Sequence, residues 1–166
     1  MSSVKIDISQ LLKDINLSQD ALDTITEKCL RRSCEKIVAR ARTDHPSWES
    51  KTGALERAIM YQVHKKRHSA YVFIRTSKLA KSSDGKLVPY HEFLRFGTGL
   101  YGKHHSYIYP RKAKALVWYE GGRKIIAKMT RGIKGDDWLT RARESVDINK
   151  VFREVLKEYY GAANVK

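Results

Sequence analysis

The stretch Ile59-Met60-Tyr61-Gln62-Val63-His64-Lys65-Lys66-Arg67-His68-Ser69-Ala70-Tyr71-Val72-Phe73-Ile74 decides the fold. Ile59, Tyr61 and Val63 alternate with Met60, Gln62 and His64, and Ser69 to Thr76 is rich in aromatic and β-branched residues. That is the pattern of two strands. Lys65-Lys66-Arg67-His68 falls between them and reads as the solvated basic tip of a hairpin.

Upstream the period changes. From Ser18, a residue suited to a helix N-cap, apolar positions recur at Leu22, Ile25, Cys29, Leu30, Cys34, Ile37, Val38 and Ala41, the 3.6-residue repeat of an amphipathic helix. This helix is expected to run to about Thr43, where Asp44-His45-Pro46 stops it. Ser47 to Gly53 reads as a loop and Ala54 to Ala58 as a helical turn. The first 17 residues carry a short apolar patch, Ile6, Ile8, Leu11 and Leu12, and read as an arm or a short element.

Downstream, Lys81 to Lys86 is a polar linker with a turn signal at Asp84-Gly85. An aromatic-rich stretch, Tyr90 to Tyr101, precedes a second hairpin, Ala115 to Tyr119 and Lys124 to Met129, joined through Glu120-Gly121-Gly122-Arg123. Adjacent glycines supply the positive φ that such tight turns require. Asp136 or Asp137 is placed to cap a short helix through Ser145, and Ile148, Val151, Phe152, Val155, Leu156 and Tyr159 mark a last amphipathic helix. The expected fold is α+β, a long N-terminal helix and C-terminal helices packed on an antiparallel sheet made of two β-hairpins. The expected boundaries are an arm or short element at 1–17, the α+β domain at 18–146, and a C-terminal helix and tail at 147–166.

Composition sets the outer limits. A chain of 166 residues with 42% hydrophobic content is enough for one core of ordinary proportions. No apolar run approaches the roughly 18 residues that span a bilayer, and the start lacks the regions of a signal peptide. A soluble protein made in the cytoplasm, with no membrane partner, is expected. Cys29 and Cys34, five apart on a helix, diverge too far for an unstrained bridge and are expected to be reduced. The net charge of +15 attracts polyanions or acidic surfaces. The basic residues are spread along the chain, without a single dense tail.

Few constellations point to chemistry. His64 and His68 flank a hairpin tip, and His104-His105 stand without the Glu or Cys pattern of a zinc site, so no metal and no cofactor is expected. His91-Glu92 beside Arg95 has the composition of an acid-base pair for phosphodiester cleavage. No nucleophile elbow, phosphate-binding glycine loop or paired-carboxylate site accompanies it, and no enzyme is expected. Tyr101, Tyr107, Tyr109, Trp118 and Tyr119 interleave with Lys103, Arg111, Lys112 and Lys114. That mixture suits a protein interface or core and also a nucleic-acid stacking surface.

The order of signals resembles the tail-completion, or minor tail, family of long-tailed bacteriophages, whose members join head and tail. Lys51-Thr52-Gly53-Ala54-Leu55-Glu56-Arg57-Ala58-Ile59 is similar to the family's Thr-Gly-x-Leu segment leading into a hairpin. Pro89-Tyr90-His91-Glu92-Phe93-Leu94-Arg95-Phe96-Gly97-Thr98-Gly99 resembles its aromatic-rich turn ending in Phe-Gly-Thr. Ile108-Tyr109-Pro110 with Lys114-Ala115-Leu116 is similar to its proline and strand block. Gly132 to Ala142 resembles its closing element, with Asp136-Asp137-Trp138 in place of the usual proline and phenylalanine. The resemblance covers residues 18 to 145.

The resemblance implies a non-catalytic virion protein of the tail or neck, assembled in the host cytoplasm. It would form a ring, taken to be a hexamer, at the head-proximal end of the tail, completing or terminating it. Its partners would be copies of itself, the tail-tube protein and the head-connector or neck proteins, with DNA passing through the ring lumen. A neck protein of the connector and a basic nucleic-acid-binding protein are the alternatives. The interface candidates are Phe96, Gly97, Thr98, Gly99, Leu100 and Tyr101, the basic tip Lys65, Lys66 and Arg67, and Trp48. Gly97 and Gly99 are expected to turn the backbone sharply after the apolar anchors Phe93 and Phe96, presenting the loop to a neighbouring subunit.

Overall fold

The computed structural model describes residues 3–12, 18–44, 53–75 and 90–161. They form five α-helices and two antiparallel sheets, so the α+β class is borne out. The chain divides into two compact units. Unit 1 comprises Met1–Leu87 and Trp138–Lys166, and unit 2 comprises Val88–Asp137.

Unit 1 is built on the expected hairpin. β2 (Ile59–His64) and β3 (Ser69–Ile74) pair antiparallel, with Val63 opposite Ala70 and Ile59 opposite Ile74. A single 3₁₀ turn, Lys65–Arg67, forms the tip. Of the arm or short element expected over the first 17 residues, Ser3–Asp7 is a strand, β1, paired with β3 so that the sheet order is β1-β3-β2. The alternation of Val4 and Ile6 with Ser3, Lys5 and Asp7 holds the signal, since the two apolar residues are buried and the other three exposed. Val4 lies opposite Val72 and Ile6 opposite Ala70. One face of the sheet therefore presents Val4, Ile6, Ile59, Ala70, Val72 and Ile74, all buried.

α1 (Gln19–Thr43) covers that sheet. Ile25, Cys29, Leu30, Cys34, Ile37 and Ala41 are at most 1% exposed, whereas Leu22, expected on the same face, is only half-buried near the helix start. Ser18 is the N-cap residue through its backbone carbonyl, which accepts from Leu22 N; its hydroxyl makes no capping bond. At the other end Arg42 donates to the carbonyls of Glu56 and Ile59, tying α1 to α2 (Ala54–Ala58) and to the start of β2. Both cysteines are buried free thiols. Burial pushes the Cys29 thiol up to about 11 and the Cys34 thiol to about 12, so neither is a reactive thiolate near neutral pH.

α4 (Trp138–Glu144) packs on α1 and β1 through Trp138, Leu139 and Ala142. α5 (Ile148–Tyr160), expected to cover the sheet beside α1, packs chiefly on α1 itself. Its start is fixed by Asp147, whose carboxylate accepts from Lys150 N at 3.0 Å, satisfying a backbone donor that the helix leaves open. Its stripe of Val151, Phe152 and Val155 is buried. Polar residues finish the contact, as Lys28 and Arg32 both bind Glu158 and Lys36 reaches Glu154.

These hydrogen-bonded cations hold the Glu158 carboxyl down to about 2 from its ordinary 4.5. A carboxyl depressed on folding stabilises the folded state above its unfolded pKa, and the contribution disappears as pH falls toward the folded value. The stability difference between the wild type and Glu158→Gln is therefore expected to be constant from pH 7 down to about 5, and to shrink below 4.5 until it is lost near 2. Urea titrations at each pH measure it. A difference that persists unchanged at the acid end would rule out the ion pairs as its source.

In unit 2 the expected second hairpin is β4 (Leu116–Glu120) and β5 (Arg123–Ala127). Gly121 and Gly122 turn it with φ of +53° and +79°, the two positive values of a type I′ turn. It forms its own two-stranded sheet, so the two hairpins do not make the single expected sheet. The aromatic-rich stretch expected as a turn is instead a helix, α3 (Tyr90–Phe96), followed by a 3₁₀ turn at Gly99–Tyr101. The loop expected at Ser47 to Gly53 lies outside the described residues as far as Thr52. The linker expected at Lys81 to Lys86 and the interface candidate Trp48 lie outside them as well.

Candidate functional site

The segment after α3 is held by a second segment, Arg131 to Asp136, backbone against backbone. Thr98 N donates to Ile133 O at 2.9 Å, Leu100 N to Arg131 O at 2.8 Å, and Asp136 N to Leu94 O at 2.9 Å. The Thr98 hydroxyl adds a fourth bond, accepting from Ile133 N at 3.0 Å. Such an approach leaves no room for side chains at the crossing. A Cβ on Gly99 would lie 2.2 Å from Arg131 O, and one on Gly132 would lie 2.3 Å from Thr98 O. Gly97 and Gly135 meet in the same way, a Cβ on Gly135 falling 2.5 Å from Gly97 N.

The glycines of the Phe-Gly-Thr-Gly segment therefore serve close packing within unit 2. They were expected to permit a sharp turn, and Gly97 and Gly99 do have positive φ. Their stronger constraint comes from the facing backbone. Sequence reading missed the partner segment, although a second pair of closely spaced glycines, Gly132 and Gly135, was its available signal.

A bidentate ion pair clamps the same region. Arg95 Nε and Nη2 reach the two carboxylate oxygens of Asp137 at 2.7 and 2.9 Å, the fork geometry that adds orientation to charge. The guanidinium also lies over the Phe96 ring, 5.1 Å from its centroid. Arg95 is thus engaged, and His91 is fully buried. Desolvation lowers the His91 pKa, which favours the neutral ring. His91, Glu92 and Arg95 do not converge on a solvent-facing acid-base site.

Besides the exposed cations Arg131 and Lys134, this scaffold offers large apolar side chains to solvent. Phe93 is 43% exposed, Phe96 60%, Tyr101 46% and Ile133 45%. Phe93 and Phe96 share a face of α3 by their three-residue spacing, while Tyr101 and Ile133 sit on the two segments that the backbone bonds lock together. Thr98 and Leu100 are half-buried within that lock.

The basic tip is in unit 1. Lys65, Lys66 and Arg67 are exposed, but Lys65 is held at 2.9 Å by Glu27 of α1, whose carboxyl is lowered first by that hydrogen bond. His68, at φ +46°, closes the turn with Nδ1 3.5 Å from the Thr26 hydroxyl. Among the described residues no three His, Cys, Asp or Glu side chains gather as metal ligands, and no helix is long and apolar enough to cross a membrane. Comparison of the chain with protein-family models, with curated proteins and with solved structures finds no match.

Proposed function

We propose that this chain is a structural subunit of a bacteriophage tail, closing on copies of itself into a ring at the head-proximal end that completes the tail and joins it to the head. The observation that carries the reading is the exposure of Phe93, Phe96, Tyr101 and Ile133 on a scaffold stiffened by backbone contacts and the Arg95–Asp137 clamp. Large apolar residues left exposed on a rigid surface suit burial by a partner, and aromatic residues with a nearby arginine are the usual content of an interface core. Phe93, Phe96 and Ile133 fall in segments that carry the family resemblance.

Light scattering and negative-stain microscopy of the purified protein, alone and with tail-tube protein, test the proposal. Ring particles several-fold heavier than the 19.1 kDa chain are expected. Phe96→Asp should return them to monomers while leaving the thermal midpoint nearly unchanged, because an exposed side chain contributes little to folding. A wild type that stays monomeric under both conditions sinks the proposal.

A further inference from the structure

The charge of the chain is unevenly placed. From Lys103 to Lys134 there are nine Lys and Arg against one acidic residue, Glu120, so this stretch holds +8 of the total +15. All nine are exposed. Their setting differs from that of the cations in unit 1. There Lys28, Arg31, Arg32, Lys36 and Lys65 are each paired with Glu27, Glu154 or Glu158, whereas among the described side chains no carboxylate pairs with any of the nine.

The element at the centre of this charge is the β4–β5 ribbon. Tyr119, 70% exposed, lies opposite Lys124, and Val117, 54% exposed, lies opposite Ile126. Side chains alternate along a strand, so these four share one open face. Arg123 and Lys128 flank it in sequence, and Tyr107 and Tyr109 are exposed on the preceding segment.

We infer that the β4–β5 ribbon of unit 2 binds duplex DNA, its exposed cations on the phosphates. Nine lysines and arginines against a single carboxylate match a surface of uniform negative charge, and phosphate neutralisation supplies most of the affinity in such contacts. A two-stranded antiparallel ribbon is also one of the shapes that the major groove admits. The inference stands apart from ring formation, because it concerns the ribbon and not the Phe96 surface.

The test is fluorescence anisotropy of the full chain with a labelled random-sequence duplex across a series of salt concentrations. For the variant carrying Arg123→Ser, Lys124→Ser and Lys128→Ser, the slope of log affinity against log salt is expected to flatten by about 2 to 3. Binding should weaken at least tenfold at moderate salt. The variant carrying Lys65→Ser, Lys66→Ser and Arg67→Ser, in unit 1, should bind within twofold of wild type. Circular dichroism checks that both fold. An unchanged slope in the ribbon variant, or an equal loss in the tip variant, overturns the inference. So does displacement of the duplex by polyglutamate at matched charge, which would mark a surface for acidic proteins. Tighter binding of a single strand that Tyr119→Ala abolishes would show a stacking platform and overturn the duplex assignment.

Discussion

Gly99→Ala is expected to open unit 2 locally by about 2 to 5 kcal/mol, a large effect for one methyl group. Two penalties combine. Alanine in the left-handed region costs about 1–2 kcal/mol, and Gly99 has φ +62°. The added Cβ would also stand 2.2 Å from the carbonyl oxygen and 2.7 Å from the carbonyl carbon of Arg131. Both are backbone atoms that cannot rotate away, so the two segments must part, at a further cost of about 1–3 kcal/mol. The bonds lost are those from Thr98 N and Leu100 N. Hydrogen exchange at these two amides should accelerate by about 30-fold to a few thousandfold, since each 1.4 kcal/mol is about a factor of ten. Amides of α1 in unit 1 should be unaffected. Gly121→Ala is the control, because Gly121 has positive φ but nothing within 4 Å of its Cβ position; it should show the conformational cost alone. Equal protection at Thr98 and Leu100 in wild type and Gly99→Ala would mean that the glycine crossing does not hold the loop.

The same crossing determines which variants inform on assembly. A bulky residue at Gly97 or Gly99 disturbs the fold of unit 2 before it touches any partner. Substitutions at Phe96 and Tyr101 leave the backbone lock in place and change only what is offered outside. An assembly defect in a Gly97 variant therefore reports on folding, and one in Phe96→Asp on the surface.

Local regularity was legible in the sequence, and pairing between distant segments was not. The periods of 3.6 and 2 located α1, β2 and β3 to within a residue or two, because each periodicity is imposed by a face that must be buried. The Gly121-Gly122 turn was legible for a similar reason, since two adjacent positive φ values require that kind of sequence. β1 is only five residues long, and Val4 and Ile6 alone do not distinguish a strand from an arm until β3 stands beside them. The separation of the two hairpins into different sheets is a matter of topology, which alternation does not encode. In the candidate site, Phe96 and Tyr101 were identifiable by type, but the purpose of the glycines was not. Thr98 and Gly99 lie more than 30 residues from Arg131 and Ile133 in sequence, and only the folded chain shows that their backbones touch. The charge of 103–134 was countable at the outset, yet its meaning depends on its setting, nine exposed cations of which Arg123 and Lys124 lie on one two-stranded ribbon and Lys128 directly follows it.

Truncation of the buried face of α1 is expected to give the largest loss of global stability. Leu30 and Ile37 are 0% exposed on a helix that packs on β2 and β3 along one side and on α4 and α5 along another. A cavity at either position is therefore walled by regular elements, which relax little. Leu30→Ala and Ile37→Ala should each cost about 2 to 5 kcal/mol, combining the lost transfer energy of the side chain with the cavity left behind. Leu22→Ala is the internal comparison. It removes the same atoms as Leu30→Ala, but from a half-buried position near the first turn, where solvent already reaches the side chain and the cost should fall to about 1 kcal/mol or less. Urea unfolding followed by the fluorescence of Trp138, which is fully buried in α4 of the same unit, measures all three. The midpoint should drop sharply for the two buried positions with the slope unchanged. Should Leu22→Ala cost as much as Leu30→Ala, the buried stripe of α1 would have to be redrawn with Leu22 at its centre, and the helix turned on the sheet to match.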